Sequence, residues 1–334
     1  MGTIGVVIFF VAGLAIIIKG GDWFVESAVW LAKVTGIPNV LIGATIVSIA
    51  TTLPELLVSA IATYQHFYDV AIGNVVGSMV CNMGLILGVT AIISPVEIQK
   101  ISFTVKSTFM LITGGILYYL ALNRIITPME GNIFLGLFAV YILINILEFA
   151  RRNKKRRKQK IIGVPIDKGN STQYIGKFIL GTVCITVGAR LLVSNGVSLA
   201  QIIGIPEQVV SLTLIALGTS LPELTTAITS VIKKEQGISV GNIIGANVLN
   251  MVMVLGLSSK IASQGIVISY QNVMLGATIY NIPQTLYLDL PVTLILMLIL
   301  TAGGFIIGKI SRPIGFTIFG IYCIYLFILA RLFL

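Results

Sequence analysis

The chain has 334 residues, 56% of them hydrophobic and 10% charged, with a formal net charge of +10. A soluble domain carries about 25% charged residues, and the mean hydropathy here is +1.01. These values exclude a water-soluble enzyme or binding module and point to a polytopic membrane protein.

At ~20 apolar residues per crossing, the sequence predicts about ten spans. The first, 4–33, lacks the basic leader and small-residue cleavage site of a signal peptide and is read as a membrane helix left in place. Its Lys19, Asp22 and Glu26 mark an approach to the interface or to a wet cavity. The second and third spans, 38–64 and 70–93, flank His66, which is read as a loop residue at the membrane surface. Spans at 104–122 and 131–150 follow, and then the run RRNKKRRKQK at 151–160. In a soluble protein that run would suggest nucleic acid. Between apolar spans it reads as a cytoplasmic loop touching anionic lipid. Spans at 173–197, 206–232, 239–260, 288–308 and 313–333 complete the set, and the moderately apolar stretch 262–287 is read as an interfacial hairpin.

A basic loop after the fifth span places the amino terminus outside a cell membrane crossed many times. Lys33, Lys100, Lys106, Lys233, Lys234, Lys309 and Arg312 lie on the same inner side, with Arg124 and Lys260 as exceptions. Cys81, Cys184 and Cys323 are far apart in apolar spans and offer neither a disulfide framework nor metal-ligand spacing.

The chain repeats itself. GIP occurs at 36–38 and 204–206, TTLPEL at 51–56 matches TSLPEL at 219–224, and GNVVGSMVCNM at 73–83 matches GNIIGANVLNM at 241–251. Each pair is 168 positions apart (223 less 55, for instance), without a gap. This register marks a duplication. The expected units are a first five-helix repeat at 1–150, a basic cytoplasmic linker at 151–172 and a second repeat at 173–334. With five spans each, the second copy enters the membrane from the opposite side. Inverted repeats with proline-interrupted helices at matching positions are the sequence signature of a secondary transporter's central site.

The chemistry lies in the matched segments. A carboxylate at mid-membrane costs at least ~2.5–3.5 kcal/mol. Of the twelve acids, only Glu55 and Glu223 fall near the middle of a clean span, with no basic residue in the same motif. Thr51 and Thr52 stand one turn before Glu55, and Thr219 and Ser220 one turn before Glu223. Pro54 and Pro222 lack an N–H, so the carbonyls of Ala50 and Gly218 lose their helical partners. Carboxylate, hydroxyl and carbonyl oxygens suit hard cations such as Ca²⁺ or Na⁺ rather than zinc or copper. Asn74, Ser78 and Asn82 form a stripe on the following helix, matched by Asn242, Ala246 and Asn250. The glycines at 73, 77, 241 and 245 have the spacing of close helix contacts. Two ionised glutamates carry a charge of −2, which one Ca²⁺ or two Na⁺ neutralise, so competition for shared oxygens is a physical basis for exchange.

At GATIVSIATTLPELLVS with GNVVGSMVCN, and TLIALGTSLPELTTA with GNIIGANVLN, the chain resembles the sodium/calcium exchanger family of the cation/calcium antiporter superfamily, in its compact prokaryotic form. The resemblance covers both repeats and implies antiport of Na⁺ against Ca²⁺ by alternating access, with the spans at 4–33 and 173–197 sliding past the rest. It implies that Thr51, Glu55, Thr219 and Glu223 hold Ca²⁺ at the centre. Sodium sites would use Thr52 and Ser78 on one side and Ser220 on the other, joined by the carbonyls of Ser48 and Ala216. Asn82 and Asn250 would line the middle. No cofactor and no nucleic-acid partner are implied; Ca²⁺ and Na⁺ are the transported ions and the bilayer is the surrounding. The chain departs from the family pattern at Ala246, usually serine, at Met79, commonly asparagine, at Ile49-Ala50, and at Asn250, where some relatives carry aspartate. Alanine at 246 and an amide at 250 bear on the third sodium ion and on stoichiometry.

Ca²⁺/H⁺ antiport on the same scaffold is the alternative, because buried glutamates also take up protons, although protons need no hydroxyl ligands. A channel is disfavoured by a ligand set that desolvates its ion. An intramembrane protease is disfavoured by a single histidine and by the expectation that no aspartate lies in a span core.

Overall fold

The computed structural model describes residues 2–34, 47–156, 171–232, 236–275 and 278–333. The first GIP, the end of the basic run, Lys233 and Lys234 lie outside the described residues. The apolar runs form long helices: α1 (Thr3–Val34), α4 (Tyr68–Ile93), α5 (Lys100–Ala121), α6 (Pro128–Arg156), α7 (Ser171–Ile203), α10 (Ser239–Ile261), α11 (Thr285–Ile307) and α12 (Arg312–Phe333). Each contains a stretch long and apolar enough to cross a membrane. A ninth crossing is the bent pair α8 (Glu207–Thr219) and α9 (Leu221–Ile232). Its counterpart, α2 (Val47–Thr51) followed by α3 (Leu53–Tyr64), runs back into undescribed residues. The chain is an all-α membrane protein of about ten spans in two inverted five-helix repeats.

The loops carry short strands that check the parity of this count. β1 (Val96–Glu97), in the loop after the third span, pairs with β6 (Lys309–Ile310), in the loop after the ninth. β2 (Ile125–Ile126), after the fourth span, pairs with β3 (Ile266–Val267), after the eighth. Strands hydrogen-bond only when they lie on one face of the bilayer. An even number of crossings therefore separates each pair, as holds when the bent pair α8–α9 counts as one crossing. The two pairings are also mates under the repeat, since each joins the loop after the third helix of one half to the loop after the fourth of the other. The stretch 262–287 does contain a hairpin, β4 (Gln271–Leu275) with β5 (Thr278–Ile282). His66 is the exposed loop residue expected, at φ 64°.

The packing divides in two. The larger apolar core joins α4, α10, α11 and α12 around residues such as Met79, Met83, Val248 and Met297. A smaller cluster joins α1 and α7 to α3 and α8 through Ile17, Leu192, Val58 and Ile215. Within it α1 and α7 lie side by side along their lengths, and their backbones nearly touch. A Cβ added at Gly20 would lie 2.9 Å from the Gly181 carbonyl oxygen, and one at Gly188 would lie 2.8 Å from that of Gly13. The repeat relates Gly13 to Gly181 and Gly20 to Gly188, so these two contacts are one contact made twice. Near the charged end of α1 the pair is tied by Lys177 to Glu26 (2.7 Å) and by Trp30 stacked on Tyr174 (4.8 Å between centroids).

Candidate functional site

The proline motifs interrupt both helices identically. α2 stops at Thr51 and α3 starts at Leu53, while α8 stops at Thr219 and α9 starts at Leu221. The residues between, Thr52 (φ −81°, ψ −1°) and Ser220 (φ −84°, ψ 6°), share the sparsely populated bridge conformation. α8 and α9 meet at 44°. The helical bonds around the break survive, with Thr52 N to Ser48 O and Ser220 N to Ala216 O both at 3.0 Å. The missing partners are therefore those the prolines cannot supply, opposite Ala50 and Gly218.

Every residue predicted for the site is buried, and side chains from the two halves interleave. Ser220 Oγ donates to Glu55 Oε1 (3.4 Å), and Thr219 Oγ1 donates to Asn74 Oδ1 (3.1 Å) while touching Ser78 Oγ (3.4 Å). Ser48 Oγ donates to Asn242 Oδ1 (2.9 Å), and Asn82 Nδ2 to Asn247 Oδ1 (3.2 Å). Asn74 is pinned further by donating to Glu55 O (3.1 Å) and Ser59 Oγ (2.9 Å). The hydroxyls of Thr51 and Thr52 donate to Ser48 O (3.2 and 2.8 Å), and Thr219 also reaches Ala216 O (3.2 Å). A hydroxyl whose proton goes to a carbonyl turns its lone pairs elsewhere. The Ser48 and Ala216 carbonyls thus already accept backbone and hydroxyl donors, and the threonines hold the freer oxygens.

Acceptors are in excess at the centre. Glu55 and Glu223 are each 1% exposed and within electrostatic reach of each other. Thr51 lies beside Glu223, yet neither Glu223 oxygen has a partner in hydrogen-bonding geometry, and nor does Glu55 Oε2. Asn82 Oδ1 and both polar atoms of Asn250 are also buried without partners. Asn82 and Asn250 both sit in π-helical turns, Cys81–Leu87 and Asn250–Leu255, a distortion frequent at functional sites. Among the described residues, neither glutamate has an ion-pair partner, and no group of three or more His, Cys, Asp or Glu gathers. Any cation held here is ligated by two carboxylates and neutral oxygens.

A third buried acid shows the contrast. Asp289, at the edge of the expected ninth span and five residues into α11 (Thr285–Ile307), is fully buried. Its carboxylate accepts from Gln208 Nε2 (3.1 Å), Gln284 Nε2 (3.1 Å) and Tyr325 Oη (3.0 Å). Gln271 Nε2, from the hairpin, reaches Gln208 Oε1 and Asp69 Oδ2 (both 3.2 Å). Neutral donors satisfy Asp289, which makes it a structural anchor between α8, α11, α12 and the hairpin. The central pair has no such set. Sequence reasoning missed this network because its three amides, Gln208, Gln271 and Gln284, lie far apart or in different segments of the chain.

The glycines divide similarly. A Cβ at Gly77 would lie 2.5 Å from Leu212 O, and one at Gly245 would lie 3.0 Å from Ser48 Oγ, so both are packing positions beside the site; Gly241 faces open space.

A model of the family described as sodium/calcium exchanger protein matches residues 5–147 and 173–331, both repeats. The inner membrane protein YrbG of Escherichia coli (strain K12) is 36% identical over 260 residues, covering 75% of this chain and 78% of its own. The sodium/calcium exchanger MaX1 of Methanosarcina acetivorans is 30% identical over 281 residues, covering 74% and 80%. A solved structure of the sodium-calcium exchanger NCX_Mj soaked with Na⁺ and Sr²⁺ superposes with a TM-score of 0.64 at 27% identity, over 96% of this chain and 97% of that one. The family model's match over both repeats and these relatives show that the chain belongs to the sodium/calcium exchanger family of membrane transporters.

Proposed function

We propose that the chain exchanges Na⁺ for Ca²⁺ by alternating access at a site between its inverted halves. One observation carries this reading: three carboxylate oxygens without donors, contributed by both halves, sit among hydroxyl and amide oxygens with no basic residue paired to them. Buried acceptors in such excess are stable only beside a positive charge or once they take up a proton. Glu55, Glu223, Thr51 and Thr219 serve as Ca²⁺ ligands. Thr52, Ser78 and Ser220 serve sodium, with the carbonyls of Ser48 and Ala216 at the margins and Asn82 and Asn250 lining the centre. The names of MaX1 and NCX_Mj as sodium/calcium exchangers support the ion pair. In this reading, residues 1–150 and 173–334 are the two halves, 151–172 is a cytoplasmic linker and the amino terminus is outside.

The test is ⁴⁵Ca²⁺ uptake into proteoliposomes with Na⁺, K⁺ and H⁺ gradients imposed in turn. An outward Na⁺ gradient drives uptake at clamped pH. Uptake driven by a proton gradient without sodium would establish Ca²⁺/H⁺ exchange instead, which the same carboxyl pair can support.

Position 246 offers a graded check. Ala246 is buried on the stripe between Asn242 and Asn250, and its counterpart Ser78 lies 3.4 Å from Thr219 Oγ1. Ala246→Ser adds the mirror-image hydroxyl and raises apparent sodium affinity roughly fivefold, a contribution of about 1 kcal/mol. An unchanged or weakened sodium dependence of exchange would show that position 246 faces away from the ions.

A further inference from the structure

We infer that Asn247 is a positioning residue that aims the carbonyl oxygen of Asn82 at the transported cation, and that only one half of the molecule has this device. The inference rests on the exchange reading above, since it takes Asn82 as a ligand. An asparagine presents an oxygen on one side of its amide and an NH₂ on the other. Beside two carboxylates, an unconstrained amide turns its NH₂ toward them and its oxygen away. A cation ligand must do the reverse, so something has to occupy the NH₂.

Asn247 does so. Asn82 Nδ2 donates to Asn247 Oδ1 at 3.2 Å, both side chains are fully buried, and Asn82 Oδ1 is left without a protein donor. Asn247 comes from the opposite half and lies one residue off the Asn242–Ala246–Asn250 stripe, so it backs the site rather than lining it. Its repeat mate is Met79, also fully buried, whose thioether is only a weak acceptor. The mate of Asn82 is Asn250, and both of its polar atoms lack partners. One asparagine of the central pair is therefore locked with its oxygen free, and the other is unlocked. Partners that orient a ligand tune metal affinity without touching the metal.

The experiment is equilibrium ⁴⁵Ca²⁺ binding to the purified full-length protein, without any ion gradient. Asn247→Leu weakens binding roughly tenfold or more, the scale on which loss of an outer partner lowers metal affinity. In an Asn82→Ala background the same substitution has no further effect, because the oxygen it positions is gone. Equal effects of Asn247→Leu with and without Asn82 would identify a packing role and overturn the inference. A second arm is independent of whether Asn247→Leu folds: Met79→Asn gives Asn250 the partner it lacks and tightens binding severalfold in the wild type but not in Asn250→Ala. Unchanged binding in Met79→Asn would show that position 79 does not reach Asn250 and would sink the asymmetry. Absence of Ca²⁺ binding in the wild type would overturn the exchange reading as well, whereas wild-type binding with an additive cycle overturns this inference alone.

Discussion

Glu223→Gln is expected to abolish Ca²⁺ transport and, at the same time, to raise the melting temperature of the ion-free protein. Both effects follow from one fact. The Glu223 oxygens are buried without a partner in hydrogen-bonding geometry, so the ionised carboxylate is a cost to the fold that a bound cation or a proton offsets. Removing the charge lowers transport by at least ~100-fold, the upper end of what loss of even an outer partner costs. It should also return about 1–3 kcal/mol of stability when no ion is present, the penalty of an unsatisfied buried group. Glu55→Gln loses transport to the same degree but gains less stability, since Glu55 Oε1 already accepts from Ser220. Asp289→Asn is the counter-case and should destabilise, because it sets an NH₂ where the donors of Gln208, Gln284 and Tyr325 converge. Thermal melts with and without Ca²⁺, beside ⁴⁵Ca²⁺ flux, read all three. Wild-type flux in a folded Glu223→Gln protein would remove the central assignment.

The outline of this site was legible in the sequence for specific reasons. The two acids stand in apolar runs where a charge is expensive, each follows a proline, and an identical offset links them. Those signals are local, or repeat at one period, and need no knowledge of neighbours. Asn247 was not legible, because Met79 occupies the matching position and hides it from any comparison of the halves. Its role depends on a contact across 165 residues with Asn82. Asp289 stands at the edge of the expected span, and its burial rests on donors from Gln208, Gln284 and Tyr325 that no linear pattern shows. The β1–β6 and β2–β3 pairings involve two residues per strand, too few to leave an alternation in the sequence. The glycine seam between α1 and α7 escaped for a related reason. A spacing of seven between glycines is common in membrane helices, and only the partner's backbone shows that Gly20 has no room while its neighbour does.

That seam yields a prediction with opposite signs at adjacent residues. A Cβ at Gly20 would lie 2.7 Å from Cys184 Cβ, 2.9 Å from Gly181 O and 3.0 Å from Ile185 N. These are a stem carbon and backbone atoms, which cannot swing aside as the end of a long side chain can. Gly20→Ala must therefore push α1 away from α7, at the ~1–3 kcal/mol typical of overpacking. The separation would also loosen the Glu26–Lys177 pair and the Trp30–Tyr174 stack farther along. At Gly21 the nearest atom to an added Cβ is Pro222 Cγ, at 3.8 Å, an ordinary contact. Gly21→Ala then keeps only the gain of about 0.5–1 kcal/mol from replacing a helical glycine. Melting temperatures in detergent should fall for Gly20→Ala and rise for Gly21→Ala. Gly181→Ala should fall with Gly20→Ala, since its Cβ would lie 2.8 Å from Gly20 O. The double substitution Gly20→Ala with Gly181→Ala should cost less than the two singles added, because one outward shift of the helix relieves both contacts. Equal shifts at positions 20 and 21 would mean that α1 and α7 are not held at backbone contact. The seam would then give no reason for the two helices to travel as one body during exchange.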